Sequence, residues 1–191
     1  MSPTSAPPAP VSSPKLLTAD EFMARYENVH AELVNGIVKE YPMPGLEHGK
    51  ICMRIGALIY NHVEERDLGH VMSNDTSVQT GTNPDTVRGG DVCFFSYARL
   101  PKGQVPKGFG PDAPELVVEV RSPSDLWTEI FAKVEEYLNT GVHVVILLDP
   151  ETKTASVCRH GQKQQILHDG DSLTIPDVLP GFSVPVSKLF K

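Results

Sequence analysis

Glu119 stands inside Leu116-Val117-Val118-Glu119-Val120, an almost unbroken apolar run of strand length. Runs of this kind belong to strands covered on both faces. An ionised carboxylate there costs several kcal/mol unless a cation, a hydrogen-bond donor or a proton compensates it. Residues two apart share a strand face, so Glu115, Val117 and Glu119 point one way and Leu116, Val118 and Val120 the other. A second carboxylate, Asp91, heads the strand-like Asp91-Val92-Cys93-Phe94-Phe95, after Arg88-Gly89-Gly90, which reads as a turn. If the two strands pair, the carboxylates converge. Two carboxylates with water and a substrate phosphate suffice to bind a hard divalent cation such as Mg²⁺. A metal so held polarises a phosphoryl oxygen and lowers the pKa of a bound water, the contributions phosphodiester hydrolysis needs most. An acid in an apolar strand is, taken alone, more often half of a structural ion pair, so further groups must support the metal reading.

Lys133 is one such group. On an ideal helix, Leu126, Trp127, Ile130, Phe131, Val134, Tyr137 and Leu138 span an apolar sector of about 140°, and Lys133 falls about 20° outside its edge. A lysine there can lay its stem along the core and bring its ammonium toward the carboxylates; the competing assignment is a surface pair with Glu129, four residues earlier. His48, near the start of another helix, is a supporting acid, base or phosphate donor, weighed against the ordinary structural role of a lone histidine. The seven histidines show no metal-ligand spacing. Arg99, Lys102 and Lys107 make a loop the best local basic patch, and its glycines lack the strand and helix context of a phosphate-binding fingerprint.

The elements that position these residues follow from patterning. Thr18-Ala19-Asp20-Glu21 is a capping box for a short helix, and Asn35-Gly36 between short apolar pieces marks a hairpin that carries Glu32. Residues 47–67 repeat apolar positions at helical spacing, with Gly69 as the stop. Residues 71–80, 91–95 and 115–120 read as strands. Ser122-Pro123-Ser124-Asp125 opens a helix running to about Asn139. Then come a buried strand at 142–149, a hairpin at 155–167 and a closing loop at 176–185. The fold class is α/β, a central mixed sheet flanked by helices.

The 191 residues, 40% hydrophobic and 21% charged, fit one domain over 16–191, preceded by a disordered Pro/Ser/Ala-rich tail at 1–15. No apolar run approaches the roughly 18 residues of a membrane span. Three scattered cysteines suggest neither disulfides nor a structural zinc site and fit a reducing cytoplasm. The net charge of −7 argues against tight non-specific binding to phosphate backbones, which attract positive surface.

Several dispersed segments together resemble one known family. Ala31-Glu32-Leu33-Val34-Asn35-Gly36, Gly90-Asp91-Val92, Ala113-Pro114-Glu115-Leu116-Val117-Val118-Glu119-Val120-Arg121-Ser122-Pro123-Ser124, Lys133-Val134-Glu135-Glu136-Tyr137 and Leu179-Pro180-Gly181-Phe182-Ser183 are similar to the Uma-two family of restriction-endonuclease-like proteins in the PD-(D/E)XK nuclease superfamily. The resemblance covers residues 17–190 and implies a restriction-endonuclease-like core. It implies Asp91 and Glu119 as metal ligands, Glu32 as the acid that completes the site, Lys133 as the catalytic lysine and Tyr137 as a supporting residue. It further implies Mg²⁺, with Mn²⁺ as a substitute, and DNA as the substrate; cutting both strands calls for two active sites, which predicts a homodimer. Two positions depart from the motif: Gly90 stands where proline is common, and Arg121 fills the slot of the motif lysine. Two other readings of the same fold stay open, a nucleic-acid-binding module without catalysis and a protein-interaction domain.

Overall fold

A computed structural model of the chain describes residues 15–110 and 112–191. The expected tail lies outside the described residues apart from Lys15, whose ammonium reaches Glu21 at 3.3 Å. The Thr18 capping box forms with both of its hydrogen bonds, and α1 (Ala19–Tyr26) follows. β1 (Ala31–Val34) and β2 (Ile37–Glu40) pair in antiparallel register around Asn35 and Gly36. Both turn residues lie in the left-handed region, at φ 50° and 76°, as the tight turn of a right-twisted hairpin requires.

α2 (Leu46–Arg66) buries Ile51, Ile55, Ile59 and Val63 at four-residue spacing. Each such side chain contributes about 1.5–3 kcal/mol. The helix stops at Asp67, which takes the left-handed conformation while its N–H donates to the carbonyls of Val63 and Glu64. Gly69, the expected stop, instead opens β3 (Gly69–Gly81), where a Cβ would sit 2.1 Å from the Phe95 carbonyl oxygen. Close packing against β4 (Thr86–Ser96), not helix termination, demands glycine there. β4 also takes in Arg88-Gly89-Gly90, so the expected turn is strand.

β5 (Leu116–Val120), α3 (Trp127–Asn139) and β6 (Val144–Asp149) form the strand–helix–strand unit. Ser122 to Asp125 is a turn and not the first turn of α3. The Ser122 N–H donates to the Asp125 carboxylate (2.7 Å) and the Asp125 N–H to the Ser122 carbonyl (3.0 Å), which closes the backbone before the helix begins. β7 (Thr154–Cys158) and β8 (Gln165–Leu167) make the later hairpin. β9 (Ser172–Thr174) pairs with β10 (Ser183–Pro185), which gives the expected closing loop a strand, and α4 (Val186–Leu189) ends the fold.

The main sheet runs β2-β1-β4-β5-β6-β7-β8, with β3 on the other edge of β4. Only β5 and β6 are parallel, so the sheet is mixed. α2 and the C-terminal segment cover one face, packing on Val92, Phe94, Val118 and Ile146. α3 covers the other, with Val134 and Tyr137 against Cys93, Val117 and Val145. No helix among the described residues is long and apolar enough to cross a membrane.

β4 is where the sheet divides. One of its edges pairs with β3 from Thr86 to Ser96. On the other, β5 pairs with residues 92–94 and β1 only at Val87, so 88–91 have no strand beside them. The opposite edge is irregular at the same place: the register steps from Ser73↔Val92 to Thr76↔Gly90, leaving Asn74 and Asp75 against Asp91. This is a β-bulge, an extra residue that bends the strand and re-aims side chains, with both residues at positive φ.

Gly69→Ala is expected to destabilise the chain by at least about 1–3 kcal/mol through overpacking, read as a lower urea midpoint at unchanged slope. Gly108→Ala, with open space around it, should shift stability by less than about 0.5 kcal/mol.

Candidate active site

Side chains fill the break in the ladder. The Gly89 N–H donates to a Glu32 carboxylate oxygen (3.0 Å), and the Gly89 carbonyl accepts from the Lys133 ammonium (2.8 Å). The Val120 N–H, at the end of β5, donates to Asp91 (2.7 Å). Unpaired buried peptide groups cost about as much as a lost hydrogen bond, and here each partner is an ionisable group. Gly90 suits the strand: a Cβ there would meet the Cys93 sulfur at 2.6 Å. This accounts for the departure from proline without touching the acids.

Lys133 joins the carboxylates from α3. Its Nζ lies 2.9 Å from Glu32 and 2.9 Å from Glu119, and the Tyr137 hydroxyl donates to the other Glu119 oxygen at 2.9 Å. The buried stripe of the helix is therefore Ile130, Lys133, Val134, Tyr137 and Leu138, with the lysine in it. Leu126, Trp127 and Phe131, expected on that face, are instead 61%, 40% and 44% exposed. Arg88 completes the network with a bond to Glu32 (2.9 Å) and a two-pronged pair to Glu136 (2.7 Å each).

Environment sets these charges apart. Burial would raise Glu32, but Lys133 and Arg88 outweigh it and hold the carboxyl down at about 2. Burial pushes Glu119 up to about 8; Lys133 opposes the shift, while Asp91 and Glu32 add to it. Burial opposes the charge of Lys133, yet Glu119 and Glu32 hold its pKa above the ordinary lysine range. The resting cleft thus has a fixed anion at Glu32, a fixed cation at Lys133 and, at Glu119, a carboxyl that takes up a proton near neutrality.

Asp91 opens onto the same cleft as Glu32, Glu119 and Lys133, a cavity of about 240 Å³. A single water needs only about 10–15 Å³ of such space, so a hydrated ion has room. The acids do not meet at one point, however. Glu32 and Glu119 share Lys133, whereas Asp91 faces His48, whose Nε2 is 3.4 Å away. His48 therefore does approach an expected ligand, and its pKa is raised by that contact. Arg121 also lines the cavity, but its guanidinium is engaged outside the acid cluster: it pairs with Asp149 (3.1 Å) and Glu151 (2.7 Å) and lies over the Trp127 ring at 4.9 Å. Two of the three basic-loop residues are paired locally, Arg99 with Glu115 (3.3 Å) and Lys102 with Asp67 (2.6 Å).

Three cleft neighbours escaped the sequence reading. Asp75 lines the cleft from the bulge, its carboxyl raised by burial and by Asp91; the trace was Ser73-Asn74-Asp75-Thr76, turn formers inside a strand. Arg88 was hidden in a presumed turn. Cys52 sits beside His48 and Asp91, the ligand atoms of the three lying within 4.8 Å of one another. Scanning histidines and cysteines as separate sets misses a mixed His48/Cys52 pair four residues apart on one helix.

A mixed sheet with helices on both faces, broken where acids from three strands face one cleft, defines a nuclease-type α/β fold. A solved structure with this architecture is "a putative nuclease belonging to DUF820 from Anabaena variabilis", with a TM-score of 0.80 and 21% identity over 91% of this chain and 97% of that one. The chain belongs to the Uma2 family, described as "Putative restriction endonuclease", whose model matches residues 19–187. Among curated proteins, none matches.

From pH 4.5 to about 8 the folded chain holds a proton on Glu119 that the unfolded chain has released. Stability should fall as pH rises through that window, by up to about 1.4 kcal/mol per pH unit. Glu32 acts oppositely: its contribution is complete above 4.5 and is lost as pH falls toward 2. Glu119→Gln is expected to flatten the decline between pH 5 and 8, measured by urea unfolding at successive pH values; an unchanged slope would show that Glu119 does not hold the proton.

Proposed function

We propose that this chain is a divalent-metal-dependent endonuclease that hydrolyses DNA phosphodiester bonds, with Asp91 and Glu119 as metal ligands, Glu32 as the acid that supports them and Lys133 as the catalytic lysine. The observation that carries the reading is the charge balance of one water-accessible cleft. Among the described residues, Glu32, Glu119 and Glu136 share two cations, Arg88 and Lys133, and Asp91 has only the His48 imidazole beside it. A divalent ion closes that deficit, and oxygen donors of this kind suit Mg²⁺, with Mn²⁺ as a substitute.

When bound, the ion supplies Lewis-acid polarisation of the scissile phosphate and an acidified water. The protein's groups do the rest. Glu32 anchors the Lys133 ammonium at its edge of the cleft, and the Tyr137 hydroxyl orients Glu119. Lys133 offers a positive charge to the phosphate oxygens as charge develops, a form of stabilisation worth about 10²–10³-fold per donor in comparable sites. His48 is positioned beside Asp91 as a supporting acid or phosphate donor, and Arg121 serves outside the metal set. Cutting both strands calls for two sites, so the working form is a symmetric dimer, in a reducing compartment where the free cysteines persist.

One observation favours a second reading. Glu32 is already compensated by Arg88 and Lys133 without an ion, as in a cleft that binds nucleic acid without cutting it.

Purified protein incubated with varied DNA and Mg²⁺ or Mn²⁺ should cut, Asp91→Ala and Glu119→Ala should lose cleavage, and Lys133→Met should lose at least about 10²-fold. Retained cleavage in either acid variant rejects the assignment. Divalent-dependent thermal stabilisation that disappears in Glu119→Gln separates a metal enzyme from the binding module, which should show none.

A further inference from the structure

The cleft wall formed by α2 has a donor set unlike that of the carboxylates opposite. His48 and Cys52, four residues apart, project from one face of the helix toward Asp91 on β4. The His48 Nε2 lies 3.4 Å from the Asp91 carboxylate and 3.9 Å from the Cys52 sulfur. A zinc ion with bonds of about 2.0–2.3 Å to nitrogen, oxygen and sulfur in tetrahedral geometry sets its ligand atoms about 3.4–3.6 Å apart. The His48–Asp91 distance already matches that figure and all three ligand atoms lie within 4.8 Å of one another; the Cys52 sulfur, at rest 3.4 Å from Nδ1, must swing toward Nε2 and Asp91 to complete it. Neither His48 nor Cys52 has another side-chain partner among the hydrogen bonds of the described residues; each is turned to the other and to Asp91.

We infer that His48, Cys52 and Asp91 form a site for a thiophilic divalent ion of the Zn²⁺ class, with the fourth position open to the cleft. Nitrogen and thiolate donors select zinc or cobalt over magnesium, which prefers oxygen. As the metal–sulfur bond forms, the Cys52 S–H proton leaves to solvent. Asp91 then belongs to the soft site and is withdrawn from partnership with Glu119, so Zn²⁺ is an inhibitor of Mg²⁺-dependent hydrolysis. That last consequence rests on the nuclease reading; the site itself does not.

Co²⁺ titrated into the full chain under non-thiol reducing conditions is the test. One equivalent should develop a thiolate-to-cobalt charge-transfer absorption with tetrahedral visible bands, bleached by stoichiometric Zn²⁺ and untouched by excess Mg²⁺. Cys52→Ser, near-isosteric, should abolish the charge-transfer band. His48→Gln, which removes a proposed ligand, should weaken Co²⁺ binding by more than the roughly tenfold lost when only an outer-shell partner is removed, and decides the matter if the serine variant fails to fold. Absence of the band in the folded wild-type chain, or its persistence in Cys52→Ser or at full affinity in His48→Gln, overturns the proposal. A chain that shows the band yet cuts no DNA keeps this site and loses the nuclease reading. A chain that cuts with Mg²⁺ but gives no band loses this site alone.

Discussion

The peptide groups of residues 88–91 govern this structure. They lie in mid-strand with a neighbouring strand on only one edge. A sheet that simply stopped there would leave buried N–H and C=O groups unpaired, at about 1–3 kcal/mol each. Glu32 and Lys133 take up the two polar atoms of Gly89, while Asp91 takes up the Val120 N–H. The break in the ladder thus does two things at once. It opens a cleft between β1 and β5, and it makes charged side chains the obligatory partners of the backbone that lines it.

Those charges then need one another. Glu119 enters the cleft from an apolar strand, Lys133 from the buried stripe of α3, and Arg88 from β4 with only 8% of its side chain exposed. Any one alone would cost several kcal/mol to bury. Together they form a chain of pairs from Glu136 through Arg88, Glu32 and Lys133 to Glu119, and the charge alternates along it. The end of that chain is the least satisfied: Glu119 shares its one cation with Glu32 and feels Asp91 besides, so its carboxyl is pushed up while that of Glu32 is held down. A buried pair network normally neutralises itself. This one stops short at the residue that faces the cavity.

Much of this was legible in the chain, for a physical reason: the residues that break local rules are those whose compensation must lie elsewhere. Glu119 violates an apolar strand, and Asn-Gly, the capping box and the four-residue apolar spacing of α2 obey strong local rules, so each could be read alone. What could not be read was set by packing between strands. Gly89 and Gly90 look like a turn because glycine is more often a turn residue than a concession to close strands, and only the partner strand reveals the difference. The bulge at Asn74 and Asp75 is likewise a mismatch of register, which no single strand carries. Ser-Pro-Ser-Asp closes a turn instead of capping a helix because the Asp125 carboxylate bonds back to the Ser122 N–H. Sequence also placed Lys133 about 20° outside the buried face. The first turn of α3 leaves Leu126 and Trp127 substantially exposed, which rotates the stripe that matters toward the lysine.

The position of the cation explains why a helix supplies it. Arg121, two residues after Glu119, lies past the end of β5. The Arg121 N–H donates to the Leu148 carbonyl, and its guanidinium is claimed by Asp149, at the end of the parallel neighbour β6, and by Glu151 just after it. A parallel neighbour that ends in an acid captures a rigid, planar cation at the strand terminus before it can turn inward. Lysine on α3 has no such competitor: its flexible stem crosses from the helix to the gap and reaches the Gly89 carbonyl, which arginine at 121 does not. Lys133 is thus the cation beside Glu119 because its element points at the unpaired backbone of Gly89.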